Sequence, residues 1–354
     1  VTGGGAAPSA SRRDRLARDL LTVRPHGDAH WVALRAGICV LVPLLVLWAT
    51  GHLTWSIFAV FGAMTSLYGR NRVHVPGLQL QVQVGVLLTL VTAGGVLVGT
   101  SEHRAWLAVP LAALLASGAA LLSDVQDWHP PGALFPVFAF TACASLPAQP
   151  RDVPVALAVA AAAAAFAVVV GNLGAFWRAR RRPRDRDGRT PWRRGDWAAS
   201  LGWHVLPSGL AVLVAGSVAT GVGIGHPYWA MVSAVVPLVA REFRDQLVRG
   251  LHRLVGTALG LAVAAVVLAV DPPALALIAL VTLLQVGAEL LIGRNYALAL
   301  TCVTPLALLM VYLVAGGDRQ ALLLDQGLET VIGVAVGLVV GYLTRAGVGQ
   351  PPVR

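Results

Sequence analysis

Long apolar runs separated by short polar turns dominate this chain. The runs cover residues 31–50, 54–68, 78–99, 104–122, 131–148 and 153–177, then 198–222, 228–240, 251–270, 273–292, 295–315 and 321–345. Most come close to the roughly 20 residues a helix needs to cross a hydrocarbon core about 30 Å thick. The pattern predicts an all-α polytopic membrane protein with about 12 transmembrane helices, arranged as two six-helix sets around a hydrophilic stretch. The expected organisation is a basic tail at 1–30, a first membrane repeat at 31–177 and an arginine-rich linker at 178–197. A second repeat at 198–345 and a short tail at 346–354 complete it.

Composition sharpens this. Of 354 residues, 56% are apolar and only 12% charged, against roughly 25% charged in ordinary globular chains. There is too little polar surface to cover a soluble protein of this size, so a soluble enzyme is excluded. The net charge of +10 comes from 27 basic residues, all arginine, which we ascribe mainly to genome base composition. These arginines fall between apolar runs rather than on one folded face, which argues against nucleic-acid binding and makes them topology signals. With the N-terminus inside, only Arg104, Arg151 and Arg319 occupy external loops. Both termini and the linker are therefore expected in the cytoplasm, and the protein in the inner membrane. Residues 1–30 lack the apolar core and cleavage site of a signal peptide. Cys39, Cys143 and Cys302 lie in separate apolar runs without metal-ligand spacing, and no metal or cofactor is called for.

The two halves resemble one another. Gly51-His52-Leu53-Thr54-Trp55 recurs 174 residues later as Gly225-His226-Pro227-Tyr228-Trp229, and Arg70 matches Arg244 at the same shift. Val169-Val170-Gly171 pairs with Val339-Val340-Gly341, and Pro136 with Pro305. The shared order of these matches implies duplication, and an even number of helices per copy gives both the same orientation. Parallel repeats of this kind occur in secondary transporters. The second and eighth runs are too short to cross comfortably, and short segments at matching places in two repeats point to a binding site. Each starts with Gly-His and an early tryptophan, so its amide N-terminus would attract an anion. The plainer reading makes His52, Trp55, His226 and Trp229 headgroup-level residues.

In the second half, Gly225-His226-Pro227-Tyr228-Trp229-Ala230 is followed by Arg241, Arg244, Arg249-Gly250-Leu251-His252-Arg253 and Gly256-Thr257-Ala258-Leu259-Gly260. This succession resembles the fusaric acid resistance-like family of membrane transporters, also called the aromatic acid exporter group. Leu328-Glu329-Thr330-Val331-Ile332-Gly333 is similar to that family's closing helix. The first half, with Gln79, Gln81 and Gln83 in place of the basic helix start, looks like a diverged copy. The resemblance implies export of organic anions, often aromatic carboxylates, although some relatives behave as anion channels.

An exporter of carboxylates needs a positive vestibule on the cytoplasmic side, which Arg70, Arg72, Arg241, Arg244, Arg249 and Arg253 would supply. Arg253, placed at the start of its helix and followed by Gly256 and Gly260, stands out. Arg35 either snorkels or lines the path. Tyr228 and Trp229 join His226 as substrate contacts, with His52 and Trp55 in the other copy. Among polar groups inside apolar runs, Gln79 and Gln83 share a helix face, as do Gln285 and Glu289. Glu289 and Glu329 are the proton-coupling candidates, with Glu289 pairing to Arg294 as the simpler alternative. Asp124 and Asp127 have half the pattern of a metal-diphosphate site, but no second aspartate cluster accompanies them. The leading expectation is an exporter of small organic anions embedded in lipid. A twelve-helix proton-coupled drug antiporter and a dimeric anion channel are the alternatives, and a homodimer stays open.

Overall fold

The computed structural model of the protein describes residues 29–69, 75–179 and 200–345. The basic tails, the linker, Arg70 and Arg72 fall outside those residues. Among them, nine helices are long and apolar enough to cross a membrane, and three shorter apolar helices accompany them. The first set is α1 (Ala29–Ala49), α2 (Leu53–Leu67), α3 (Val75–Gly99), α4 (Arg104–Gln126), α5 (Leu134–Ser145) and α6 (Asp152–Ala179). The second is α7 (Leu201–Val222), α8 (Tyr228–Leu238), α9 (Phe243–Val270), α10 (Ala274–Ile292), α11 (Tyr296–Ala315) and α12 (Arg319–Thr344).

The short helices are the second of each set and α5. At 1.5 Å per residue, α8 is about 16 Å long and α5 about 18 Å, against a core of about 30 Å. Their length has local causes. Gly51 and Gly223 take positive φ (74° and 79°) in the turns before α2 and α8, and Tyr68 turns extended after α2. The α5 helix falls short of the 18 residues expected, because its segment starts as an irregular turn through Gly132 (φ 86°). The opposite correction applies to α9. It begins at Phe243, ten residues before Arg253, so Arg253 lies inside the helix rather than at its start. Side-chain caps mark other starts: Asn295 accepts from the amides of Ala297 and Leu298, and Asp318 from that of Gln320.

Packing within one set repeats in the other. The α2 helix lies on α6, and α8 on α12; α3 lies on α5 and α6, and α9 on α11 and α12. The contacts between sets also pair up, α1 with α10 and α4 with α7, then α2 with α11 and α5 with α8. Small residues bring the backbones together. A Cβ on Gly62 would strike the Ala160 carbonyl in the α2–α6 contact, and one on Gly333 would strike that of Ala230 in α8–α12. One continuous core crosses both sets, with Phe58, Phe61, Tyr68, Trp128, Tyr228 and Trp229 among its largest members. On the rim, the Asp271 carboxyl is held below its usual range by hydrogen bonds from Arg319 and then Tyr312.

Candidate functional site

The ends of the two unsupported helices need partners, and the fold supplies them from neighbouring helices. At the far end of α2, Gln81 donates to the Tyr68 carbonyl (2.9 Å), and Arg35 donates to that of Ser66 (3.1 Å). At the far end of α8, Gln246 donates to the Ala240 carbonyl (2.9 Å). Each glutamine packs on a glycine of its set's last helix, Gln81 on Gly171 and Gln246 on Gly341. These are the two glycines matched in the sequence, now performing one job twice. Both glutamines are buried, whereas Gln79 and Gln83 are exposed. The shared face noted for Gln79 and Gln83 is therefore an outer one, and Gln81 is the residue that matters.

The N-terminus of α8 is not open to a ligand as expected. The Glu329 carboxylate of α12 already occupies it, one oxygen accepting from the His226 amide (3.0 Å) and the other from the Trp229 amide (3.1 Å). Glu329 is fully buried. An anionic side chain here satisfies orphan amides and meets the positive end of the helix dipole. One turn earlier on α12, Asp325 lies 2.7 Å from His226 Nδ1. The corresponding start of α2 has no such carboxylate: His52 is exposed and stacks on Trp55 with ring centroids 4.1 Å apart.

Between the halves, Phe138 of α5 touches Phe61, Tyr228 and Trp229, with centroid distances of 5.2, 6.3 and 5.3 Å. Above this aromatic layer is a cavity of about 200 Å³ lined by residues of both sets, including Ile57, Ser145, His226, Tyr228, Val311 and Leu322. Tyr228 and Trp229 are almost fully buried, so they are wall residues rather than open contacts.

On the other side of that layer Arg253 is 4% exposed, and its Nε donates to Ser233 of α8 (3.3 Å). A guanidinium enclosed by apolar helices is costly, and this partner is a neutral hydroxyl. Helices α8, α9 and α12, which pack on one another, carry further buried polar side chains. Thr257 Oγ1, Thr330 Oγ1 and Gln326 Oε1 find no hydrogen-bond partner among the described residues. Buried polar atoms of this kind are ordinarily satisfied by protein groups, ordered water or a bound polar molecule. Arg244 is exposed and Arg249 half-buried on the same helix as Arg253. Glu289 is buried on α10 while Arg294 is exposed. No group of three histidine, cysteine or acidic residues is placed to hold a metal among the described residues.

Sequence reading named Arg253 and Glu329 but missed Ser233, the capping role of Glu329 and the buried face of α12. The spacing of Gln326, Glu329, Thr330 and Gly333 carried that last signal.

These features define a multi-pass helical membrane protein. Residues 210–340 match the family described as fusaric acid resistance protein-like. A 148-residue stretch, 42% of this chain, is 30% identical to "Uncharacterized membrane protein YvaC" of Bacillus subtilis (strain 168). The match covers 23% of that relative's length. No solved structure matches the chain.

Proposed function

We propose that the protein is a transporter of the inner membrane that exports small organic carboxylate anions, aromatic ones among them, and that Arg253 is its anion-binding residue. The observation that carries this reading is the buried guanidinium of Arg253, whose Nε donates to the neutral Ser233 hydroxyl. A carboxylate could take both guanidinium edges, while the Thr257 and Thr330 donors accommodate its other polar atoms. In this reading the two helix sets are parallel repeats, supported by their recurring packing partners, and the route runs between them. Both tails and the linker are cytoplasmic, which places Arg253, Arg249 and Arg244 toward the substrate's source and His226 toward its exit.

Proton coupling falls to Glu329 before Glu289. Protonating Glu329 would remove the charge that holds the start of α8 and would free that helix to move. The test is flux in proteoliposomes over a panel of aromatic and aliphatic carboxylates, with and without a pH gradient. Saturable, gradient-driven flux that Arg253→Ala abolishes at unchanged protein abundance supports the reading. Unchanged flux removes Arg253 from the site, and flux indifferent to the gradient points to the channel alternative.

A further inference from the structure

A second buried polar group joins the two halves at the start of α7. Pro207 has no N–H and its ring crowds the carbonyl of Trp203, four residues back, so the helix widens into a π turn over Leu201–Val205. Ser117 of α4 donates to the Val205 carbonyl within that turn (3.1 Å). The turn brings His204, 2% exposed, to α4, with Nδ1 2.9 Å from Asp124 Oδ1. The Ser200 hydroxyl donates to the other oxygen of the same carboxylate. The α4–α5 turn closes the far side of the ring, since a Cβ on Gly132 would come 3.7 Å from Nε2.

We propose that Ser200, His204 and Asp124 form a proton-binding site on the seam between the two halves. Asp124 holds the neutral ring as the Nδ1–H tautomer, so an incoming proton from water lands on Nε2, beside Gly132. The carboxylate then offsets the charge of the buried imidazolium. Ser200 fixes the second oxygen, so the pair keeps its geometry in both states. Other charged groups on the elements packed against it are Asp127 and His129, which face each other at 4.0 Å and are at least half exposed. Arg241 lies over the Trp203 ring at 4.5 Å, followed by Glu242, while Tyr342 and Arg345 belong to the end of α12.

This inference predicts proton binding whether or not Arg253 binds anions. The test is NMR of the full chain in nanodiscs with ring-labelled histidine, from pH 5 to 9, with the His204 signal assigned through His204→Gln. One titration step at His204 is expected, with proton affinity at least tenfold lower in Asp124→Asn and about threefold lower in Ser200→Ala. A His204 signal independent of pH, or an unchanged midpoint in Asp124→Asn, overturns the proposal. Should Asp124→Asn fail to fold, an unchanged midpoint in both Asp124→Glu and Ser200→Ala overturns it equally.

Discussion

The third and sixth helices of each half meet over buried faces of the same shape but opposite character. In the second half those helices carry the buried Arg253, Gln326, Glu329 and Thr330; in the first, the corresponding places hold Leu88, Ala156, Val159 and Ala160. The glutamine that ties off each short helix is present in both halves, as is a buried threonine, Thr92 or Thr257. Architecture is thus shared while charge is confined to one copy. Caps and close backbone contacts are needed wherever a helix stops inside the bundle. Of the buried charges Glu329 caps a helix, whereas Arg253 meets no such structural need and marks where a ligand would act.

Five substitutions test that contrast, the first two by copying residues of the first half into the second. The largest effect is expected for Glu329→Val, which copies Val159. Losing two charge-assisted hydrogen bonds at the start of α8 should cost about 3 kcal/mol, read as a lower midpoint of thermal unfolding in detergent. A stability equal to wild type would show that the carboxylate is not what holds α8. Arg253→Leu copies Leu88 and should reduce carboxylate flux about 100-fold, equivalent to about 2.7 kcal/mol, without loss of stability. If stability fell while flux per folded molecule held, Arg253 would be structural.

Gly333→Val forces a side chain against the Ala230 carbonyl and should cost about 2 kcal/mol by pushing α8 from α12. Unfolding measurements that find it neutral would mean the helices separate freely. The smallest effects belong to Gln81→Leu and Gln246→Leu, about 1 kcal/mol each and equal within error, because both remove one hydrogen bond to a helix end. A large difference between the two would break the equivalence of the halves.

Much of this was legible in residues alone. The apolar runs located the long helices to within a few residues, and the Gly-His-x-x-Trp recurrence located the short second helix of each set. The shared Val-Val-Gly marked a packing glycine that the fold uses twice. Periodicity failed where helices continue into polar sequence, as at the start of α9, because arginines there interrupt the apolar run without interrupting the backbone hydrogen bonds. It failed again at Gln81, since alternation with Gln79 and Gln83 gave no sign of which side faces inward. His204 and Asp124 were invisible as a pair, being 80 residues apart on helices whose contact depends on how the halves dock.

Residue order alone established that the chain lives in a membrane and how many apolar runs it has, and it pointed to a likeness between the halves. Those properties follow from hydrophobicity and repetition, which are local and additive. Tertiary structure alone decided that Glu329 fills the amide end once offered to a ligand, that Arg253 is enclosed rather than at a helix mouth, and that His204 meets Asp124. Each depends on which helix face turns inward, and in a chain apolar on nearly every face that choice is made by packing between helices.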